Sequence, residues 1–142
     1  MNKRLLNQIK TALADEKNIV FAYLFGSMVK NKSRYGSDLD IAVYFRTLPD
    51  LNEIGKLNLM LEETLSYKID LIQLNNLDKQ NPVLAYSVIS DGILLMNENT
   101  TLLNEYIKSV LLQYLDFKPT SEFINKSFSS RLLNNRFAVF EK

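Results

Sequence analysis

Three observations assign this chain to the α/β class: apolar residues recur at helical spacing, short β-branched and aromatic runs fall between them, and the two patterns alternate. Its 142 residues suit one domain. Apolar residues make up 46% of the chain, with seven Tyr and eight Phe, enough for a core without covalent staples. Four Gly and three Pro are too few for long linkers or disorder.

The elements follow in order. Asn2–Ala14 sets Leu5, Leu6, Ile9 and Leu13 on one helical face, and Asp15-Glu16-Lys17-Asn18 breaks it. Ile19–Phe25 is expected to be a buried strand ended by Gly26-Ser27. Met28–Ser37 is polar and basic, and is expected to form a helical turn and then a loop. Leu39–Phe45 is the second strand. Pro49-Asp50 opens a helix to about Leu65, with Leu51, Ile54, Leu57, Leu61 and Leu65 as its apolar stripe. Lys68–Leu74 is the third strand.

Pro82–Ser90 is expected to be helical, since Pro is acceptable in a first turn. Asp91-Gly92 turns into a short strand, Ile93–Met96. Thr100–Phe117 is a long helix carrying Leu103, Ile107, Val110, Leu111 and Tyr114, and Pro119 ends it. Ser121–Phe140 is expected to be a last helical segment. Residues 1–98 are taken as the functional unit and 99–142 as a C-terminal helical segment of the same domain. No internal repeat or low-complexity stretch interrupts this order.

Composition narrows the chemistry. The chain has no Cys and no His, which excludes disulfides, thiolate nucleophiles, imidazole bases and His- or Cys-ligated metals. Catalysis must use carboxylates, Lys, Arg or hydroxyls, and a bound metal should be a hard cation such as Mg²⁺ or Mn²⁺. A net charge of +1 gives no global footprint for nucleic acid or anionic lipid. No apolar run reaches the length of a membrane span, and the basic Met1–Arg4 start precedes no unbroken apolar segment, so a cytoplasmic location is expected.

The residues with chemical potential are Gly26-Ser27 and, ten residues later, Asp38-Leu39-Asp40. Glycine after a strand is ordinarily only a turn and Ser only a helix cap. The same pair can instead present N–H groups and a hydroxyl to a phosphate at the start of a helix. Asp38 and Asp40 lie at i and i+2, on one side of a strand, where they can share a hard cation. A turn Asp followed by a strand-edge Asp would explain the pair more simply. Asp70 argues against that explanation, because it interrupts an apolar strand where burial of a lone carboxylate is costly. If its strand neighbours Leu39–Phe45, the three carboxylates converge and a metal relieves their repulsion. Lys30, Lys32 and Arg34 lie between the turn and the carboxylates. Such a group is ordinarily a solvated face, but Lys30 and Arg34 are candidates for a phosphate clamp. Ser37 is expected to cap or orient the loop. The end of the chain carries Tyr106, Tyr114, Phe117, Phe123, Phe128, Phe137 and Phe140, more aromatic surface than a small domain can bury, which offers a partner surface.

Gly26-Ser27, Asp38-x-Asp40 and a later strand Asp70 resemble the polymerase-β-type nucleotidyltransferase superfamily. Tyr23-Leu-Phe-Gly-Ser, Ser37-Asp-Leu-Asp-Ile-Ala-Val and Ile69-Asp-Leu-Ile look like its minimal members, among them the MntA-like antitoxins paired with HEPN-domain toxins. The motif-bearing part spans Ile19–Leu74. The resemblance implies a mixed sheet flanked by helices. It implies that Gly26 and Ser27, with Lys30, Arg34 and Ser37 nearby, hold ATP. Lys30 stands where Arg is frequent in the superfamily, and it supplies the charge without the bidentate geometry. Asp38, Asp40 and Asp70 would ligate two Mg²⁺ ions, with Asp70 completing the set or helping to deprotonate the acceptor. The implied reaction is transfer of AMP to a Tyr hydroxyl of a cognate HEPN ribonuclease, within a hetero-oligomer, with no direct nucleic-acid or membrane partner. The alternatives are an antitoxin that acts by binding alone with a silent site, and a small-molecule transferase of the aminoglycoside-modifying kind.

Overall fold

The computed structural model describes residues 3–26 and 38–117. Its elements run α1 (Lys3–Ala14), β1 (Ile19–Phe25), β2 (Leu39–Phe45), α2 (Leu51–Leu65), β3 (Ile69–Gln73), α3 (Leu77–Gln80), α4 (Pro82–Asp91), β4 (Ile93–Asn97) and α5 (Thr100–Phe117). The strands form one mixed sheet in the order β3-β2-β1-β4. β1 pairs antiparallel with both β2 and β4, and β2 pairs parallel with β3. The α/β class and the mixed sheet are as expected.

Both faces of the sheet are covered, so β1 is buried along its whole length and its sequence is apolar throughout. On one face Leu5, Ile9 and Leu13 of α1 and Leu57, Leu61 and Leu65 of α2 pack on Leu39, Ile41, Val43 and Phe45 of β2. On the other, α4 and α5 pack on Phe21, Tyr23, Phe25 and Ala42. The alternation of β1 slips where the pairing register shifts between Ile19 and Phe21, and this lets Val20 and Phe21 join the same core. Phe21 stacks on Tyr44 at 4.7 Å, and the Tyr106 ring lies 5.6 Å from Phe21. The Tyr106 hydroxyl donates to the Leu74 carbonyl at 2.7 Å, fixing α5 to the end of β3. Burial pushes the Tyr106 phenol far up, so it remains a donor.

Local chemistry sets the boundaries. Asp50 caps α2 in a capping box: its side chain accepts from the Glu53 N–H at 2.8 Å and Glu53 accepts from the Asp50 N–H at 3.1 Å. Asn81 caps α4, accepting from the Leu84 N–H, with Pro82 at its start. Gly92 lies where an added Cβ would overlap the Val88 carbonyl oxygen and come within 3.1 Å of that of Leu24, so only glycine lets the chain turn from α4 into β4.

Several expectations need correction. Leu51 is 88% exposed rather than part of the α2 stripe, because it is the first residue after the cap and precedes the turns that reach the sheet. Helix α3 was not anticipated; four residues are too few to show periodicity. Its Asp78 is buried and accepts a hydrogen bond from Ser109 Oγ of α5. Tyr106 and Tyr114 of the aromatic-rich end are core residues, with Tyr114 stacked on Tyr86 at 4.2 Å. Met28–Ser37 and Ser121–Phe140 lie outside the described residues.

Candidate functional site

The carboxylates gather where β1 ends and β2 and β3 begin. The side chains of β2 alternate, with Leu39 and Ile41 facing α1 and α2 and Ala42 facing α4 and α5. Asp38 and Asp40 therefore stand on the side of the sheet facing α4 and α5. The β2–β3 register sets Asp40 directly beside Asp70. On its other flank Asp40 pairs with Phe25, the residue before Gly26.

Gly26 is built to admit Asp40. Its φ is +85°, a left-handed conformation that favours glycine, and a Cβ there would overlap Oδ2 of Asp40 and sit 3.0 Å from its Cγ. Two independent constraints thus meet at one residue. The glycine turn and the acidic strand are a single packed unit even though eleven residues separate Gly26 from Asp38 in the chain.

Asp40 is the electrostatic centre. Partial burial, then repulsion and hydrogen bonding from Asp70, then repulsion from Asp38, push its carboxyl up to about 6. Two carboxyls in hydrogen-bonding reach share a proton more readily than two charges. Asp70 itself is exposed, contrary to the expectation that it is buried within its strand; β3 is an edge strand of the described sheet. The expected convergence was of three carboxylates; the strand pairing sets two of them, Asp40 and Asp70, side by side, without the burial invoked for Asp70. Among the described residues no three acidic side chains are gathered tightly enough to enclose a cation. Ser27, Lys30, Arg34 and Ser37 lie outside the described residues.

β3 is held at both ends by side chains. At its far end Asn75 accepts from the Phe45 N–H at 2.9 Å and donates to the Phe45 carbonyl at 3.0 Å, continuing the ladder beyond Gln73. At its near end Glu62, in the last turn of α2, accepts the Ile69 N–H through Oε2 at 3.1 Å. Neither residue stood out in the sequence. A Glu one position after Leu61 reads as solvated helix surface, and Asn75 as a turn residue.

The oxygen donors of Asp40 and Asp70 are of the kind a hard divalent cation takes, although the described carboxylates do not by themselves enclose one. The clustered groups are all carboxylate oxygens, and Asp40 is held in a state of mutual repulsion that a cation would relieve. A family model described as Polymerase beta, Nucleotidyltransferase matches residues 7–101.

The chain belongs to the polymerase-β nucleotidyltransferase family.

Among relatives of this family member, MJ1215 of Methanocaldococcus jannaschii, provisionally named a protein adenylyltransferase, is 32% identical over 75 residues, spanning 53% of this chain and 87% of MJ1215. MJ0128 of the same organism, similarly named, is 30% identical over 91 residues, spanning 64% of this chain and 91% of that protein. The fold is that of solved toxin–antitoxin structures. One, a toxin–antitoxin with AMP-PNP, superposes with a TM-score of 0.68 at 24% identity, covering 85% of this chain and 95% of that one. Another, from Shewanella oneidensis, is a tri-AMPylated HEPN toxin in complex with MNT antitoxin; its TM-score is 0.65 at 23% identity, covering 89% of this chain and 97% of that one.

Proposed function

We propose that this chain is an antitoxin that transfers AMP from ATP to a hydroxyl, a Tyr on a HEPN-domain ribonuclease, and so silences it. The observation that carries this reading is the juxtaposition of Gly26, Asp40 and Asp70 at one end of the sheet. The names of its relatives and of the solved complexes support the substrate class.

In this reading the Gly26 turn and Ser27 hold the ATP phosphates, with Lys30 and Arg34 as further cations against them and Ser37 orienting the loop. Asp38, Asp40 and Asp70 would hold two Mg²⁺ ions, which supply charge neutralisation at the phosphates and at the attacking oxygen. Asp70 is exposed on the edge strand, where an incoming hydroxyl can approach, and it takes the hydroxyl proton. The acceptor oxygen bonds to the α-phosphorus, the bond to the bridging oxygen of pyrophosphate breaks, and pyrophosphate leaves in line. Residues 1–98 would carry the chemistry, and residues 99–142 would be the helical segment of the same domain. The setting is cytoplasmic, in a complex of antitoxin and toxin. No described helix is long and apolar enough to cross a membrane.

The test is the intact mass of a HEPN-domain protein encoded by a neighbouring gene, after incubation with this chain, ATP and Mg²⁺. A gain of one or more AMP units, absent with Asp38→Ala/Asp40→Ala, is the expected result. A stable complex without a mass gain would replace transfer by binding alone. Neither mass gain nor complex would point to small-molecule acceptors.

A further inference from the structure

We infer that Glu62 is a positioning residue for the site: its carboxylate anchors the first residue of β3 and thereby holds Asp70 opposite Asp40. The inference rests on the proposed role of Asp70, and extends the working unit to a helix residue that faces away from the reacting groups.

The need for such an anchor follows from the sheet. β3 has a strand neighbour on one side only, among the described elements. The Lys68 carbonyl accepts from the Leu39 N–H at 2.9 Å and so faces β2. Across that peptide unit the Ile69 N–H must point the opposite way, off the edge of the sheet. Glu62 Oε2 meets it there at 3.1 Å in a partly buried setting. A carboxylate accepting a backbone N–H makes a charge-assisted bond, stronger than an ordinary ladder bond.

Glu62 also fixes the connection through its main chain. Its carbonyl accepts from the Ser66 N–H at 2.9 Å, with Ser66 in a left-handed cap at φ 59°. One residue therefore grips both ends of the short turn 66–68, with its backbone at the helix end and its side chain at the strand start. The next residue after Ile69 is Asp70. β3 is packed less completely than the inner strands: Ile69 is buried in the core, but Asp70 is exposed and Leu71, Ile72 and Gln73 are only half-buried. Hydrogen bonds at its two ends add to this partial packing. Asn75 does so at the end remote from Asp70, and Glu62 at the end that carries it.

The experiment compares wild type, Glu62→Ala and Glu62→Gln, alone and with Asp70→Asn, in the full chain. Gln keeps an oxygen that can accept the Ile69 N–H. Three quantities are read: kcat and KM for AMP transfer, Mn²⁺ affinity by water-proton relaxation without turnover, and amide hydrogen exchange at Ile69. Glu62→Ala should lower kcat and Mn²⁺ affinity about 10-fold or more and leave KM for ATP within about threefold. Ile69 exchange should accelerate by a similar factor. Glu62→Gln should recover most of each loss. With Asp70→Asn already present, Glu62→Ala should add little, since both act through one group. Full additivity in that double variant, wild-type kcat and Mn²⁺ affinity in Glu62→Ala, or no rescue by Gln would each overturn the inference. If wild type transfers no AMP, the functional proposal fails by itself. Mn²⁺ affinity and Ile69 exchange then still decide the role of Glu62.

Discussion

The β1–β2 seam and the β2–β3 seam each supply a wall of the site, but they are built differently. At the first, Gly26 and Asp40 are in such close contact that no Cβ can intervene, and β1 is buried from end to end. At the second, Asp70 lies on an exposed edge strand held at its ends by Glu62 and Asn75. One wall is fixed by packing along its whole length, and the other by its ladder to β2, partial packing and polar contacts at its ends. If Asp70 receives an incoming hydroxyl, as proposed, it must stay open, and its position is then set by its neighbours rather than by its own burial.

That contrast can be broken first at the carboxylates. Asp38→Ala/Asp40→Ala is expected to lower AMP transfer by about 10³-fold or more while the protein remains folded, because the removed groups repel one another in the native state. Retained transfer in a radiolabelled-ATP assay would remove the catalytic role of the pair. Next comes the packed wall. Gly26→Ala introduces a Cβ at a left-handed φ against Asp40, and should cost about 1–3 kcal/mol in urea unfolding and about 10²-fold in kcat. A variant with near-wild-type values for both would mean the turn can move away from Asp40.

The polar wall is sharpened by Asn75→Ala. Losing both bonds to Phe45 should cost about 1–2 kcal/mol of stability, yet lower kcat less than threefold, since this end of β3 is remote from Asp70. A larger kinetic loss would show that the whole strand moves as one body. The smallest effect is electrostatic. The Asp40 carboxyl titrates near 6 in the folded chain against an ordinary value near 3.8. Between those values the native state keeps a proton that the unfolded state releases, so metal-free stability falls as pH rises from about 4 to about 6. Asp40 is only half-buried, so solvent screening reduces the effect to about 1 kcal/mol. Asp40→Asn should flatten the profile, as measured by unfolding at pH 4, 5 and 6.5 without divalent cations.

Much of this was legible in the chain. Ile19–Phe25 and Leu39–Phe45 match their strands, and Thr100–Phe117 its helix, because long or uniformly apolar runs leave one conformation able to bury them. The pairing of Asp40 with Asp70 followed from expecting its strand beside Leu39–Phe45, whereas the argument from a buried carboxylate failed, because an edge strand leaves Asp70 in solvent. What escaped notice depended on contacts between distant residues. Nothing local marks Glu62 as reaching a strand N–H, or Leu51 as pointing to solvent. The clash that makes Gly26 obligatory is with Asp40, fourteen positions on, and only the fold brings them together.

The strand order also has a consequence for biosynthesis. β1 can find β2 soon after it emerges from the ribosome, but its other side must wait for β4, residues 93–97, made some seventy residues later. Until then the most apolar strand of the sheet presents an unpaired backbone edge, the geometry that recruits foreign strands. Helix α4, tied to β1 through Gly92, is made just before β4. The nascent chain is thus most prone to misassociation between the synthesis of β3 and that of β4, when both acidic strands exist but the edge beside β1 is still open.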